Sequence, residues 1–472
     1  QPIFIMKKTT LFSLALAAGL ALSPSLAGAQ TKVTLTTAKT AGAAFSFTTN
    51  PGTVTVDWGD GTPVSITSTG EPIQGDLKGQ TITVSADNLW FLDCSSNELT
   101  AINVADGSSL STFFCSDNKL TTLDLNSMRN LVNLDCSGNE VSYLGLTLMK
   151  SLETLNCANN QLTSLSLSGP SNLKTLICSG NKLSSLTLST VSALETLWCQ
   201  DNTLKTLNLS SNRNLKSVVC DDNEISTLNM SNCTGLVDFW CDNNKLTSLS
   251  MQNNANLQTL SCSNNELTTL TIPAANSSNK SLAFYCDGNN LTFASMHSLD
   301  NMVNSANMLY SPQGTFALPK TQIKVNEQFT LDGLDTDADG NATSPSYVWK
   351  NGEEELVKGS NGDYTARSNM FTFKKPFQAI HCEVTSPEFP GLVLSSENLA
   401  VSDGTGIQDI MDAYGFSYVT NNGTITMKSG KPYRVSIYTV DGKQVWTGIV
   451  TNEEQVSLGH GIFLVNGVKI SL

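Results

Sequence analysis

Histidine is nearly absent. Three occur in 472 residues, His297, His381 and His460, far apart in the chain. No H-E-x-x-H, G-x-S-x-G or phosphate-cradling glycine loop is present, which excludes the common metalloprotease, serine hydrolase and nucleotide-binding sites. No catalytic residue is assigned. Charge is also scarce: Asp, Glu, Lys and Arg make up 14% of the chain, with 27 basic and 41 acidic side chains and a net charge of −14. That surplus of acid excludes nucleic acid and anionic membrane as partners, since both need a basic face. No C-x-x-C pair occurs, which removes the usual zinc spacing. Beyond the amino-terminal segment no apolar run is long enough to span a bilayer, so no integral anchor is expected.

What the chain does contain is a period. Cys94, Cys115, Cys136, Cys157, Cys178, Cys199, Cys220, Cys241 and Cys262 stand 21 residues apart, and Cys286 follows after 24. A fixed step of this size marks a solenoid, whose repeats bury their apolar faces only by stacking. Counted from each cysteine, apolar residues recur at −5, −2, +5, +8 and +10, and asparagine at +3, from Asn97, Asn118, Asn139 and Asn160 to Asn289. The alternation from −2 to 0 predicts a short strand with every second side chain turned inward. Stacked coils would pair these strands into a parallel sheet of about ten strands, about 4.8 Å apart. The asparagine has a reason. The turn after each strand leaves backbone groups without ladder partners, and a carboxamide can satisfy them and bond along its own column.

The string Leu152-Glu-Thr-Leu155-Asn-Cys157-Ala-Asn-Asn160-Gln-Leu162 resembles the leucine-rich repeat signature, with cysteine in the third apolar place. The 21-residue period with its cysteine ladder is similar to that of the J-type internalins, bacterial surface adhesins. The resemblance spans residues 89–293. It implies a mainly β leucine-rich repeat solenoid and a role in attachment, with no particular ligand.

Disulfides between ladder cysteines are not expected. In-register side chains point the same way and stay about as far apart as their strands, wider than the Cβ separation of about 3.8 Å that a disulfide prefers. A row of inward thiols between leucines also forms no tetrahedral metal site. The ladder reads as a column of small buried hydrophobes. Cys233 and Cys382 lie outside it.

The ends carry other signals. Met6-Lys7-Lys8, the apolar run from Leu11 to Leu22, and Ala27-Gly28-Ala29 form a secretory signal over residues 1–29. Residues 1–5 are expected to be upstream translation or a remnant of expression, and the mature chain to begin at Gln30. Residues 31–88 alternate as short strands, and Asp57-Trp58-Gly59-Asp60-Gly61 is similar to a string of polycystic-kidney-disease-type β-sandwich domains. This segment reads either as a cap over the open sheet edge or as a separate ligand site. Residues 294–318 read as a carboxy-terminal cap and linker, with a short helix over 294–310. Residues 319–402 resemble an immunoglobulin-like sandwich, with Trp349 and Cys382 in the core positions and Phe329 or Leu331 where that family's first cysteine stands. Asp335, Asp337 and Asp339, followed by Gly340, match the opening of a calcium loop, but Ser346 stands where its closing Glu belongs. A solvated turn is the competing reading.

Residues 406–472 resemble the sorting domain of type IX secretion cargo. The carriers are Val435 to Val445 with Asp441, Gly442 and Lys443, then Gly461 to Val465, then Val468, Lys469 and Ile470. Phe463 stands where tyrosine is common in that family. The resemblance implies passage across an outer membrane by that secretion machinery, removal of the domain near Ser402–Gly406, and attachment to the cell surface through lipopolysaccharide.

The residue before each cysteine is expected to face outward on the concave sheet. That column includes Phe114, Ile177, Trp198, Val219, Trp240 and Tyr285. Apolar side chains in such a place mark an interaction surface, unless they cover one another. The flanks are polar: Gln200, Asp201, Asp221, Asp222, Asp242 and Asn243. A flat sheet supplies no pocket in which paired acids could cleave a glycoside. The expected function is therefore an exported, surface-attached adhesin, acting in attachment or biofilm formation. It would hold a protein or glycan of a host or neighbouring cell on its concave face. A glycan-capture module and a self-associating structural protein are the alternatives.

Overall fold

A computed structural model describes residues 30–472 except 106–107, 273–281, 297–307, 335–343, 404–414, 422–423, 467 and 472. The signal segment, His297, the Asp335, Asp337 and Asp339 triplet and most of the expected cleavage stretch lie outside the described residues. The chain forms two compact units. One runs to Gly314 and includes Glu388–Leu392; the other holds Thr315–Pro387 and Val393–Leu472.

The first unit is a parallel β solenoid of the leucine-rich repeat kind. Ten three-residue strands, from Phe91–Asp93 to Ala283–Tyr285, pair in parallel within a thirteen-stranded sheet. The register advances one repeat per strand, for example Trp198↔Val219 and Val219↔Trp240. The strands span −3 to −1, one residue earlier than expected. The inward set is as read: Leu194, Leu197, Cys199, Leu204, Leu207 and Leu209 are all at most 1% exposed. Farther round the coil, Thr206–Asn208 pairs with Thr227–Asn229, and Ser248–Ser250 with Thr269–Thr271.

Each asparagine ties two coils together. The Asn181 Nδ2 donates to the Cys178 and Ser179 carbonyls of its own coil and to the Cys157 carbonyl of the preceding one, at 3.1, 3.2 and 3.0 Å. Its Oδ1 accepts the Leu162 N–H at 3.0 Å. Asn118, Asn139 and Asn160 repeat this pattern. The carboxamides therefore bond backbone groups of two neighbouring coils rather than one another.

All twelve thiols are free and buried. Several ladder thiols donate weakly to the next coil, as Cys220 Sγ does to the Trp240 carbonyl at 3.3 Å. Burial pushes the ladder thiols well above the ordinary range, and neighbouring cysteines and aspartates add to this. Burial also raises Cys233 to about 11. None is poised as a thiolate nucleophile.

At both ends of the run of ten coils the sheet is extended by further strands. The strand Ala44–Thr49 lies antiparallel against the first coil, and Ser46 exchanges hydrogen bonds with the Asn97 side chain. Ile73–Asp76 pairs on the outer side of that strand. A five-stranded sheet holds the other strands of this segment together with Leu99–Val104, with Trp58 packed on Phe47 at 6.0 Å. The Asp57 carboxylate accepts the Gly59 and Gly61 N–H groups, so the Asp-Trp-Gly-Asp-Gly string closes a turn. At the far edge the described residues include a helical turn at Phe293–Met296, and the rest of the expected helix lies outside the described residues. Met308–Leu309 adds an eleventh parallel strand. Tyr310 then stands in the cysteine place and Gln313 in the asparagine place. The Gln313 side chain accepts the Leu291 N–H and donates to the Cys286 carbonyl. A longer amide thus continues the ladder where the repeat has degenerated, a substitution the spacing alone did not reveal.

In the second unit, Ser346–Asn351 and Phe377–Thr385 pair antiparallel, with Trp349 opposite Cys382. The Trp349 ring meets Phe329, Phe371 and Phe373 of a second sheet, at 4.9 Å for the nearest. The terminal segment forms a three-stranded and a four-stranded sheet around Val435, Ile437 and Val465. Asp441, Gly442 and Lys443 make its hairpin turn, with Gly442 at a φ of 87°. Gly461 leaves room for the buried Phe463 ring; a Cβ there would lie 3.3 Å from it. Lys469 lies in the last strand, Val468–Ser471. No helix among the described residues is long and apolar enough to cross a membrane.

Candidate functional site

Parallel in-register pairing brings the −1 residues of successive coils side by side. Alternation along a strand turns them away from the cysteine column. Ile177, Trp198, Val219 and Trp240 do line up, together with Ala158. They are not open to solvent as expected. Ile177 is 4% exposed, Trp198 7%, Val219 0% and Trp240 3%. The two indoles flank Val219, and the column closes over itself as a second apolar strip outside the main core. Phe114 and Tyr285, at the ends, stay half-buried, and Phe114 meets Phe91 edge-on at 5.7 Å. The candidate contact residues are therefore brought together, but as a packed platform rather than a protruding ridge.

The Trp198 Nε1 and the Gln200 Oε1 are buried, and neither has a hydrogen-bond partner among the described residues. A buried donor and a buried acceptor left unmade each cost about 1–3 kcal/mol. Both belong to one coil, at the platform.

The polar flanks divide into two columns with different causes. Position +2 is left-handed in every coil: Ser96, Asp117, Gly138, Asn159, Gly180, Asp201, Asp222, Asn243, Asn264 and Gly288 have φ between 53° and 65°. Only glycine, and to a lesser extent Asn and Asp, accept this conformation cheaply. Asp201, Asp222 and Asn243, read as ligand flanks, are thus selected first by the turn. The restriction of that column to Gly, Asn, Asp and Ser was the available signal. These side chains are exposed, Gly138 and the other glycines apart, and form an acidic, amide-rich rim.

Position +1 carries the tighter electrostatics. The Asp242 carboxylate accepts from Ser261 Oγ at 2.6 Å and from the Ser263 N–H at 2.8 Å. Asp221 in the preceding coil accepts the Asp242 N–H at 3.0 Å. Asp287 two coils on accepts from Ser263 Oγ at 2.6 Å. Burial, then Asp221 and more weakly Asp287, raise Asp242 to about 7, against the opposing pull of Ser261 and Ser263. A raised carboxyl binds a proton in the folded chain that the unfolded chain has released. Its stabilising contribution is complete below about pH 4 and is lost as pH rises to about 7. Asp242→Asn is expected to raise the unfolding midpoint at pH 8 by a shift worth on the order of 3 kcal/mol, and to leave it unchanged at pH 4. Denaturant titrations at the two pH values measure this. No three acidic, cysteine or histidine side chains gather into a metal-holding group among the described residues.

On the opposite side of the platform, exposed Lys174 pairs with Glu153 at 2.8 Å and Lys216 with Glu195 at 2.6 Å. Such pairs add little stability, but they set a mixed-charge rim facing the acidic one.

No protein-family model matches this chain, and no curated protein matches it. Among solved structures, the functional domain of InlJ from Listeria monocytogenes, which includes a cysteine ladder, is similar at 22% identity. The match covers 66% of this chain and 76% of that one, with a TM-score of 0.49. An internalin from the same organism, InlF, is 18% identical over 43% of this chain and 68% of its own, with a TM-score of 0.35. YopM from Yersinia enterocolitica is 22% identical over 48% of this chain and 52% of its own, with a TM-score of 0.37. At these values the functional reading rests on the residues themselves.

Proposed function

We propose that the chain is an exported, surface-held binding protein whose strand face grips a protein on a host or neighbouring cell. The observation that carries this reading is the closed apolar platform with one unpaired indole N–H and one unpaired amide oxygen at its centre. Pre-packed tryptophans lose little freedom on binding. The unpaired indole N–H and amide oxygen, closed to solvent in the free chain, gain a partner when binding shifts the side chains that cover them. The half-buried Phe114 and Tyr285 would extend the contact, and the two charged rims would set its orientation. The terminal segment would serve sorting and surface attachment through the secretion machinery, and an immunoglobulin-like sandwich over 319–402 would act as a spacer. Attachment and biofilm formation are the processes such a molecule fits.

The test uses Trp198→Phe, which keeps a packed ring and removes the indole N–H. Beads coated with the chain from Gln30 onward are expected to capture cell-surface protein. Trp198→Phe is expected to weaken that capture about tenfold while its circular dichroism stays unchanged. Undiminished capture by Trp198→Phe would remove the platform from consideration.

A further inference from the structure

One coil departs from its neighbours three times, all on the side away from the strand platform. At the seventh position after its cysteine most coils carry a small side chain, such as Thr122, Ser164, Ser185 or Thr206; here stands Tyr143. Two residues on, where others carry Asp124, Ser166 or Asn208, stands Gly145. Three further, in the column of Ser127, Gly169 and Thr190, stands Leu148. Stacking needs none of these changes, because the inward leucines Leu144 and Leu146 of the same coil are kept and buried.

Together they shape a recess. Tyr143 is 71% exposed and Leu148 38% exposed. The missing side chain at Gly145 opens the space beside the ring; a Cβ there would touch the ring at 3.6 Å. With Thr121, Thr122, Asp124 and Ser142 these residues line a cavity of ≈ 360 Å³, within the range of ligand sites, about 300–1,000 Å³. The chemistry of the lining is selective. No Lys or Arg lines it, so an anionic ligand would meet no counter-charge. One Asp124 oxygen accepts the Asn126 N–H at 2.9 Å, which leaves acceptor capacity for ligand hydroxyls. The threonine and serine hydroxyls both donate and accept. A broad aromatic face beside such a rim suits a pyranose, whose C–H side lies flat on the negative face of the ring while its hydroxyls reach the rim.

We propose that the recess at Tyr143 is a binding site for a neutral saccharide, separate from the strand platform. The full chain, titrated calorimetrically with cello-, manno-, malto- and chito-oligosaccharides, is expected to bind one of the four. Tyr143→Ala should lower that affinity at least about tenfold. The residue is exposed, so its unfolding midpoint should not move. Tyr143→Trp should retain binding and report it by a fluorescence change of the new indole. Trp198→Phe should leave saccharide binding intact, which separates this site from the protein-binding reading. Absence of binding across the panel, equal binding by Tyr143→Ala, or occupation of the recess by a peptide in place of sugar would overturn the assignment.

Discussion

Asn181→Leu should split the solenoid. The side chain removed holds four backbone groups in two coils, and the Leu162 N–H takes its bond from that one oxygen. Leucine has similar bulk and no polar atom. It leaves the Leu162 N–H without its carboxamide partner in a dry interior. The Cys157, Cys178 and Ser179 carbonyls each lose one of two donors and keep Asn160, Asn202 and the Asn159 N–H, respectively. With one buried donor left unpaired, the loss is about 1–3 kcal/mol. A solenoid holds together through nearest-neighbour interfaces, so a break at a central coil uncouples the two halves. The measurement is denaturant unfolding, and the expected result is a lower midpoint with a broadened or two-step transition. Asn159→Asp, two residues from the ladder cysteine, in the exposed left-handed column, is the control and should change stability by no more than about 0.5 kcal/mol. A single transition at the original midpoint for Asn181→Leu would show that the carboxamide ladder is dispensable.

Trp240→Ala should cost stability before it costs binding. The indole is 3% exposed and packs in one strip with Trp198 and Val219. Truncating a buried tryptophan costs about 3–5 kcal/mol, from lost transfer energy and the cavity left behind. Phe114→Ala should cost less, because that ring is half-buried at the end of the column. The outward direction of the strand position suggests a truncation that abolishes attachment and leaves the fold alone; the packing reverses that expectation. Thermal unfolding of the two variants decides it. An unchanged midpoint for Trp240→Ala would mean that the strip is not closed in solution. Trp198→Phe avoids this cost, because it removes a donor and keeps a packed ring.

Most of the fold was legible because the repeat makes one local pattern speak ten times. Cys199, Leu204, Leu207 and Leu209 are buried where the period puts them, and Asn181 satisfies the turn as a carboxamide should. The degenerate coil at the far end was not legible. Tyr310 and Gln313 do there what cysteine and asparagine do elsewhere, and only the bonds of Gln313 to Leu291 and Cys286 reveal it. The alignment of the candidate column was legible, but its burial was not. Spacing places Trp198, Val219 and Trp240 in one outward column, yet whether neighbours on a face expose or cover one another depends on ring size and register together.

The sequence by itself determined the coil. The 21-residue step, the inward leucines and cysteines, and the asparagine at each turn follow from side-chain alternation and from the need to pair every buried backbone group. Tertiary structure alone decided what the surface is. Stacking at the strand spacing closed an apolar column into a platform, brought Asp221, Asp242 and Asp287 together along one flank, and left Tyr143 in the open beside a glycine. Those outcomes depend on distances between coils, which a linear pattern does not carry.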